Sequence, residues 1–304
     1  VTLRAGARYN QVTAQADFDT TFYPLPFTSA ELNTGAFTGS LGLVYRSVTD
    51  WEIYGNLSTG FRAPNIDDIG KVFDSEPGSV IVPNPDLGPE YAYNAEVGIA
   101  KTFNQVVKVD VTGFYTLLDN ALVRRDFSLN GRDSIVYDGT LSQVQALKNA
   151  SRARVWGVQG GIEVKLPNGI GLSSRINVQE GEELRDEGKN VPLRHAAPTF
   201  GETHLTYARN RMKLDLYSRY NGEIAYDDLS PSEKEKPHLY APDGNGNHYS
   251  PAWYTLNFKA LYQLTDIFTL TAGVENITDQ RYRTYSSGIA APGRNFILSV
   301  KASF

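Results

Sequence analysis

The chain has 304 residues, a formal net charge of -5 and a pI near 5.5, and this acidic balance excludes the basic footprint of a nucleic-acid binder. Mean hydropathy is -0.35 and no apolar run reaches the roughly 18 residues that a membrane-crossing helix needs, so a helical membrane protein is excluded. Cysteine is absent, which rules out a disulfide framework and a thiolate metal site.

Period-2 alternation then runs through the chain from its start. Over 1–12, Val1, Leu3, Ala5, Ala7 and Tyr9 oppose Thr2, Arg4, Arg8 and Asn10. Segments 36–46 and 51–61 follow, joined by the short link Ser47-Val48-Thr49-Asp50. Segments 90–102 and 105–118 meet at Thr102-Phe103-Asn104; Val107, Val109, Val111, Tyr115 and Leu117 oppose Lys108, Asp110, Thr112 and Thr116. Pro167-Asn168-Gly169 separates 152–166 from 170–180, and Asn210-Arg211 separates 198–209 from 212–222. Thr265-Asp266 separates 251–264 from 268–284, and the last segment is 293–304. In 251–264, Tyr254, Leu256 and Phe258 share one face while Thr255, Asn257 and Lys259 share the other.

That is about twelve strands of roughly ten residues, the length that crosses a bilayer when tilted. The short links alternate with long connections near 13–35, 62–89, 119–151, 181–197, 223–250 and 285–292. Short turns on one side and long loops on the other are the asymmetry of an outer-membrane barrel. Aromatics at 12%, with Tyr 18 against Trp 3, suit the interfacial girdles of such a barrel. A soluble sandwich or a solenoid also alternates, but neither sorts its loops by length, and no fixed repeat period is present. The expected fold class is therefore all-β, a transmembrane antiparallel β-barrel. Val1 already lies inside an alternating pattern and no leader precedes it, so the chain is expected to begin partway through a longer mature protein.

Four stretches carry a more specific signal. Phe61-Arg62-Ala63-Pro64 closes one strand, and Asn84-Pro85-Asp86-Leu87-Gly88-Pro89-Glu90 opens the next. Asn276, Asp279 and Tyr282 form an N-I-x-D-x-x-Y stretch placed in the penultimate strand, and the chain ends on Phe304. In this order they resemble the C-terminal half of TonB-dependent outer-membrane receptors, over essentially the whole chain. The resemblance implies one domain spanning 1–304: a C-terminal portion of a barrel of about 22 strands, closed in the family by a plug that this chain lacks. It also implies the bacterial outer membrane and its lipid, energy from the TonB–ExbB–ExbD complex through the missing N-terminal part, and import of a scarce small ligand such as a ferric siderophore. The prolines of the boxes remove ladder donors and mark strand ends, so the plainer reading of these boxes is structural. Arg62 has a second reading as a ligand contact or lumen ion-pair partner. Phe304 resembles the signal read by the barrel-assembly machinery, or is simply a lipid-facing last residue.

Family members that take haem carry a His between the first two boxes, and Phe61 to Glu90 contains none, so haem is disfavoured. His195, His238 and His248 fall in or beside long loops and His204 in a strand, all read as solvated or lumen groups rather than metal ligands. Tyr220, Tyr226, Tyr240, Trp253, Arg281 and Tyr285, near the long-loop ends, are the candidate contacts for an anionic iron chelate, with the aromatic girdle as their alternative role. Asp243-Gly244-Asn245-Gly246-Asn247 opens like a calcium loop but has His248 and Tyr254 where Gly and Glu are needed. Rival functions are an outer-membrane barrel enzyme using Ser, His and Asp at the rim, and an autotransporter translocator barrel. Neither accounts for the boxes, so no catalysis, metal or cofactor is expected. Arg4, Arg8, Lys108, Asp110, Glu163, Lys165, Arg175, Lys213, Asp215, Lys259 and Lys301 are expected to share a hydrated lumen network. Leu256→Arg should destabilise a lipid face, while Asn257→Arg should be tolerated.

Overall fold

The computed structural model describes residues 1–304 except 22–27, 71, 77, 85 and 185–188. Twelve strands form one antiparallel wall: β1 (Thr2–Asp17), β2 (Ser29–Arg46), β3 (Trp51–Arg62), β4 (Glu90–Phe103), β5 (Val107–Asp126), β6 (Thr140–Lys165), β7 (Ile170–Leu184), β8 (Phe200–Arg209), β9 (Met212–Asn221), β10 (Trp253–Gln263), β11 (Phe268–Glu275) and β12 (Asn295–Ala302). Along this path each pairs with its neighbours in sequence among the twelve, and β1 and β12 are the two edges, so the wall is an open arc. No helix among the described residues is long and apolar enough to cross a membrane.

The tight links work because Asn, Asp and Gly tolerate positive φ, which two-residue hairpins require. Asp50, Asn104, Gly169 and Asn210 stand at φ +62°, +49°, +89° and +52° in four of the short turns. All short turns therefore gather at one end of the wall and all long connections at the other.

Pairing register settles which side chains share a face, because directly opposed residues point the same way. Val107, Val164, Leu172, Leu205, Leu216, Phe258, Val274 and Phe296 are successive partners across eight strands. One residue along, Lys108, Glu163, Ser173, His204, Tyr217 and Asn257 are partners on the opposite face. The wall is apolar outside and polar inside. Tyr254 is 54% and Leu298 76% exposed on the outer face, a contiguous apolar surface far too large for a water-soluble monomer. The Tyr254–Leu256–Phe258 row thus faces outward as the alternation predicts.

Several boundaries differ from the sequence reading. β1 and β2 run to Asp17 and back from Ser29, so much of the predicted loop 13–35 is strand. β5 and β6 run to Asp126 and back from Thr140, so much of the predicted loop 119–151 is strand. The register shifts between Leu118 and Ala121, where Asn120 takes φ +57°; this bulge interrupts the alternation where the predicted loop began. β11 stops at Glu275, not 284, because Asn276 takes φ +49°. Finally, Ser79–Ile81 pairs parallel to β6 and antiparallel to Phe73–Glu76, while Ser134–Tyr137 pairs with β6 on its other side. Val80, Val82, Leu129, Ile135, Val144 and Ala146 are buried together there, giving the upper hairpin a small core of its own.

Candidate functional site at the long-loop mouth

The first two sequence boxes meet in space and hold each other. Arg62 and Glu90 are cross-strand partners joined by an ion pair of 3.0 Å, and Arg62 also reaches Asp68 at 2.7 Å. Asp68 and Asn65 exchange backbone and side-chain hydrogen bonds at 2.9 and 3.0 Å, closing the start of the short helix Ile66–Gly70. That helix buries Ile69 against Leu87 of the second box and Leu32 of β2. Asn84 donates to the carbonyl of Leu147, and Gly88 and Asn149 bond each other at 2.7 and 2.9 Å. Pro64 is buried, and Phe61 and Ala63 flank the clamp; Pro85 lies outside the described residues. These contacts fold the connection down onto the inner face of β1 and β2. Of the two roles read for Arg62, the structure shows the ion pair: its guanidinium is held between two carboxylates.

The third box is a fastener, not part of a strand. Asn276 is buried; its amide donates to the carbonyls of Gln280 and Pro292, its side-chain oxygen accepts from the Gln280 N–H, and its own N–H donates to Asn257 Oδ1 at 2.8 Å. Asp279, at φ +53°, accepts from the N–H of Arg294. Asn and Asp suit these positions because they tolerate left-handed backbone and their short side chains bond locally. The strap from Asn276 to Arg294 is thereby pinned at its base, which aims Tyr282 onto Trp253, their rings 4.2 Å apart. Trp253 projects from the inner face of β10, opposite Asn221.

Around this stack lies a cavity of about 420 Å³ walled by Trp253, Tyr282, Arg281, Arg283, His238 and Tyr240. Arg283 donates to the carbonyls of His238 and Leu239, tying the strap to the β9–β10 connection. Among the described residues no carboxylate pairs with Arg281. Three predicted contacts, Tyr240, Trp253 and Arg281, thus share one cavity. Tyr285 stands behind it with its ring 6.4 Å from that of Tyr240 and lines a second cavity of about 450 Å³. Tyr226 sits farther out under the ammonium of Lys234. Tyr220 is set apart from them: it belongs to the outer row Ile99, Val111, Gly160, Ile176, Gly201, Tyr220 and Tyr254, lying over Gly201, where a Cβ would come within 2.6 Å of its hydroxyl, the facing of its alternative role in the girdle.

Sequence reasoning missed the group that organises the mouth. Glu233, on the helical turn Pro231–Lys234, is fully buried. It accepts from Arg194 Nε at 2.8 Å, from Lys236 Nζ at 3.3 Å and from the hydroxyl of Tyr240. Burial pushes its carboxyl up, but the Tyr240 hydrogen bond, Lys236 and Arg194 outweigh this and hold it down to about 2. Burial and the same carboxylate drive the Tyr240 hydroxyl well above the usual phenol range, and burial with the Glu233 charge raises Tyr285 to about 12. The only hint in the sequence is Ser230-Pro231-Ser232-Glu233, a helix-start pattern that says nothing of where the carboxylate turns.

A sequence model described as TonB dependent receptor-like, beta-barrel matches residues 1–277. The chain belongs to this family. Similar proteins include the "Hemoglobin-haptoglobin utilization protein B" of Neisseria meningitidis, 24% identical over 99% of this chain and 42% of its own length. Another is the "Iron-regulated outer membrane virulence protein" of Vibrio cholerae, 23% identical over 84% of this chain and 37% of its own. Among solved structures, the copper transporter OprC superposes with a TM-score of 0.70 at 14% identity, covering 99% of this chain and 45% of that one. The ferric enterobactin receptor PfeA of Pseudomonas aeruginosa gives 0.64 at 18% identity, covering 91% and 42%. The chain thus spans less than half the length of these relatives.

As part of a TonB-dependent receptor, the wall sits in the outer membrane with its short turns periplasmic and its long loops extracellular. The polar face is the lumen. There Asp110 meets Arg175 and Glu202 meets Arg219, both at 3.8 Å, and Glu163 meets Lys165 at 2.6 Å. His204 bonds Asp215 at 2.9 Å and stacks on Tyr217 at 5.0 Å, a lumen polar group as expected. Arg4, Arg8, Lys108, Lys213, Lys259 and Lys301 stand on the same face outside these pairs.

Proposed function

We propose that this chain is the C-terminal wall and mouth of a receptor that imports a ferric siderophore, with energy from the TonB–ExbB–ExbD complex reaching it through the remainder of the protein. The observation that carries the reading is the mouth cavity, which Arg281 lines together with the stacked Trp253 and Tyr282. Aromatic faces and a cation that no carboxylate among the described residues neutralises suit an anionic, partly aromatic iron chelate. Trp253, Arg281 and the ring of Tyr240 would touch the ligand, and no bond of the ligand would be broken.

A second reading is uptake of iron from a haem protein, favoured by its similarity to a haemoglobin-haptoglobin utilization protein of Neisseria meningitidis and a haemoglobin-haptoglobin-binding protein of Haemophilus influenzae. A fluorescence titration of the full-length receptor separates the two. We expect saturable quenching by ferric catecholate or hydroxamate chelates, weakened about tenfold or more by Trp253→Ala or Arg281→Ala. Binding of haemoglobin with no affinity for any iron chelate would replace the first reading by the second.

A further inference from the structure

Three extracellular connections converge on Glu233. Arg194 arrives from the β7–β8 connection, while Lys236 and Tyr240 come from the β9–β10 connection that carries Glu233 itself. The β11–β12 strap joins through Tyr285, against the Tyr240 ring, and through Arg283 on the carbonyls of His238 and Leu239. A carboxylate with no solvent exposure is costly unless every partner stays in place, so the groups around it are fixed together or not at all. Tyr240 also lines the 420 Å³ cavity, and Tyr285, whose ring lies 6.4 Å from its own, lines the 450 Å³ one.

We propose that Glu233 is the positioning residue of the mouth, locking three extracellular loops into one body and fixing Tyr240 in the lining of the 420 Å³ cavity. The Tyr240 hydroxyl is then spent on Glu233, so this residue offers a ligand its ring face alone. A ligand that displaces any one loop must move all three.

Hydrogen exchange on the ligand-free, full-length receptor tests this without reference to any ligand. The reporters are the N–H groups of Leu193, Tyr240 and Ser287, which bond Gly181, Pro237 and Thr284, one reporter in each loop. Glu233→Gln and Tyr240→Phe should each speed exchange at all three about tenfold or more, while wall amides and the denaturation midpoint stay unchanged. Glu233→Asp should recover part of the protection. Faster exchange confined to residues near Tyr240, with Leu193 and Ser287 unmoved, would overturn the proposal. Should Glu233→Gln fail to assemble, Tyr240→Phe keeps the ring and decides the matter alone.

Discussion

At the scale of single residues, Glu233 makes the mouth sensitive to acid in a defined window. Its folded value near 2 lies below the ordinary 4.5, so its stabilisation is complete above about pH 4.5 and is lost as the pH falls toward 2. The groups facing it are Arg194, Lys236, Tyr240, Tyr285 and, through charge alone, His195, whose own value is lowered by burial and by Arg194. Pepsin should therefore spare the Leu229–Tyr240 segment near pH 4.5 and cut it progressively toward pH 2, whereas Glu233→Gln should be cut across the whole range. Asn257 supplies a second test. Alternation correctly assigns it to the inner face, yet it is buried, donates to Tyr217 and Thr255, and accepts from Asn276. Asn257→Arg, read from the sequence as harmless, should instead cost about 1–3 kcal/mol by stranding these groups. Leu256→Arg, on the lipid side, should cost roughly 2–4 kcal/mol. Denaturant midpoints of the two variants in the refolded receptor measure both; an unshifted Asn257→Arg midpoint would contradict the buried contacts. Lumen-facing and solvated are different properties, and alternation reports only the first.

At the scale of elements, strand number, order, facing and turn positions were legible because lipid and water impose opposite demands on successive side chains. Periodicity failed where another force set the backbone. The bulge at Asn120 and the left-handed Asn276 are governed by local side-chain bonding, which a two-residue period does not encode. The boxes were visible as punctuation, but their partners were not: Arg62 is 28 positions from Glu90, and Asn84 is 63 from Leu147. Arg194 and Glu233 likewise meet across 39 positions, with no sequence spacing to announce it. The clamp itself predicts a modest, localised effect. Arg62 is about half exposed, so Arg62→Ala should cost only about 1 kcal/mol in global stability. It should nevertheless sharply increase proteolysis between Asn65 and Pro89. Unchanged cleavage there would show that the apolar packing of Ile69 and Leu87 suffices.

At the scale of the whole molecule, the arc has two raw margins. The outward face of β12 is exposed, and the first half of β1, Thr2 to Tyr9, is exposed at every position. In hydrocarbon each unpaired backbone group costs several kcal/mol, so neither margin is stable alone. Expressed by itself, this chain should associate through its edges in detergent and fail to give a compact monomer by light scattering. Supplying the remaining strands as a second polypeptide should restore one; a well-behaved monomer from the lone arc would mean that it closes on itself.

The upper hairpin carries a last implication for engineering. Its crest is built from Asn130-Gly131 and Asp138-Gly139, all four at positive φ, and its packing comes from Val80 and Val82 of the β3–β4 connection against Leu129, Ile135, Val144 and Ala146 of the hairpin itself. The bulge at Leu118–Ala121 separates this crest from the membrane register below it. A foreign epitope grafted between Asp138 and Gly139 would therefore be displayed at the cell surface, with the anchoring scaffold indifferent to its length.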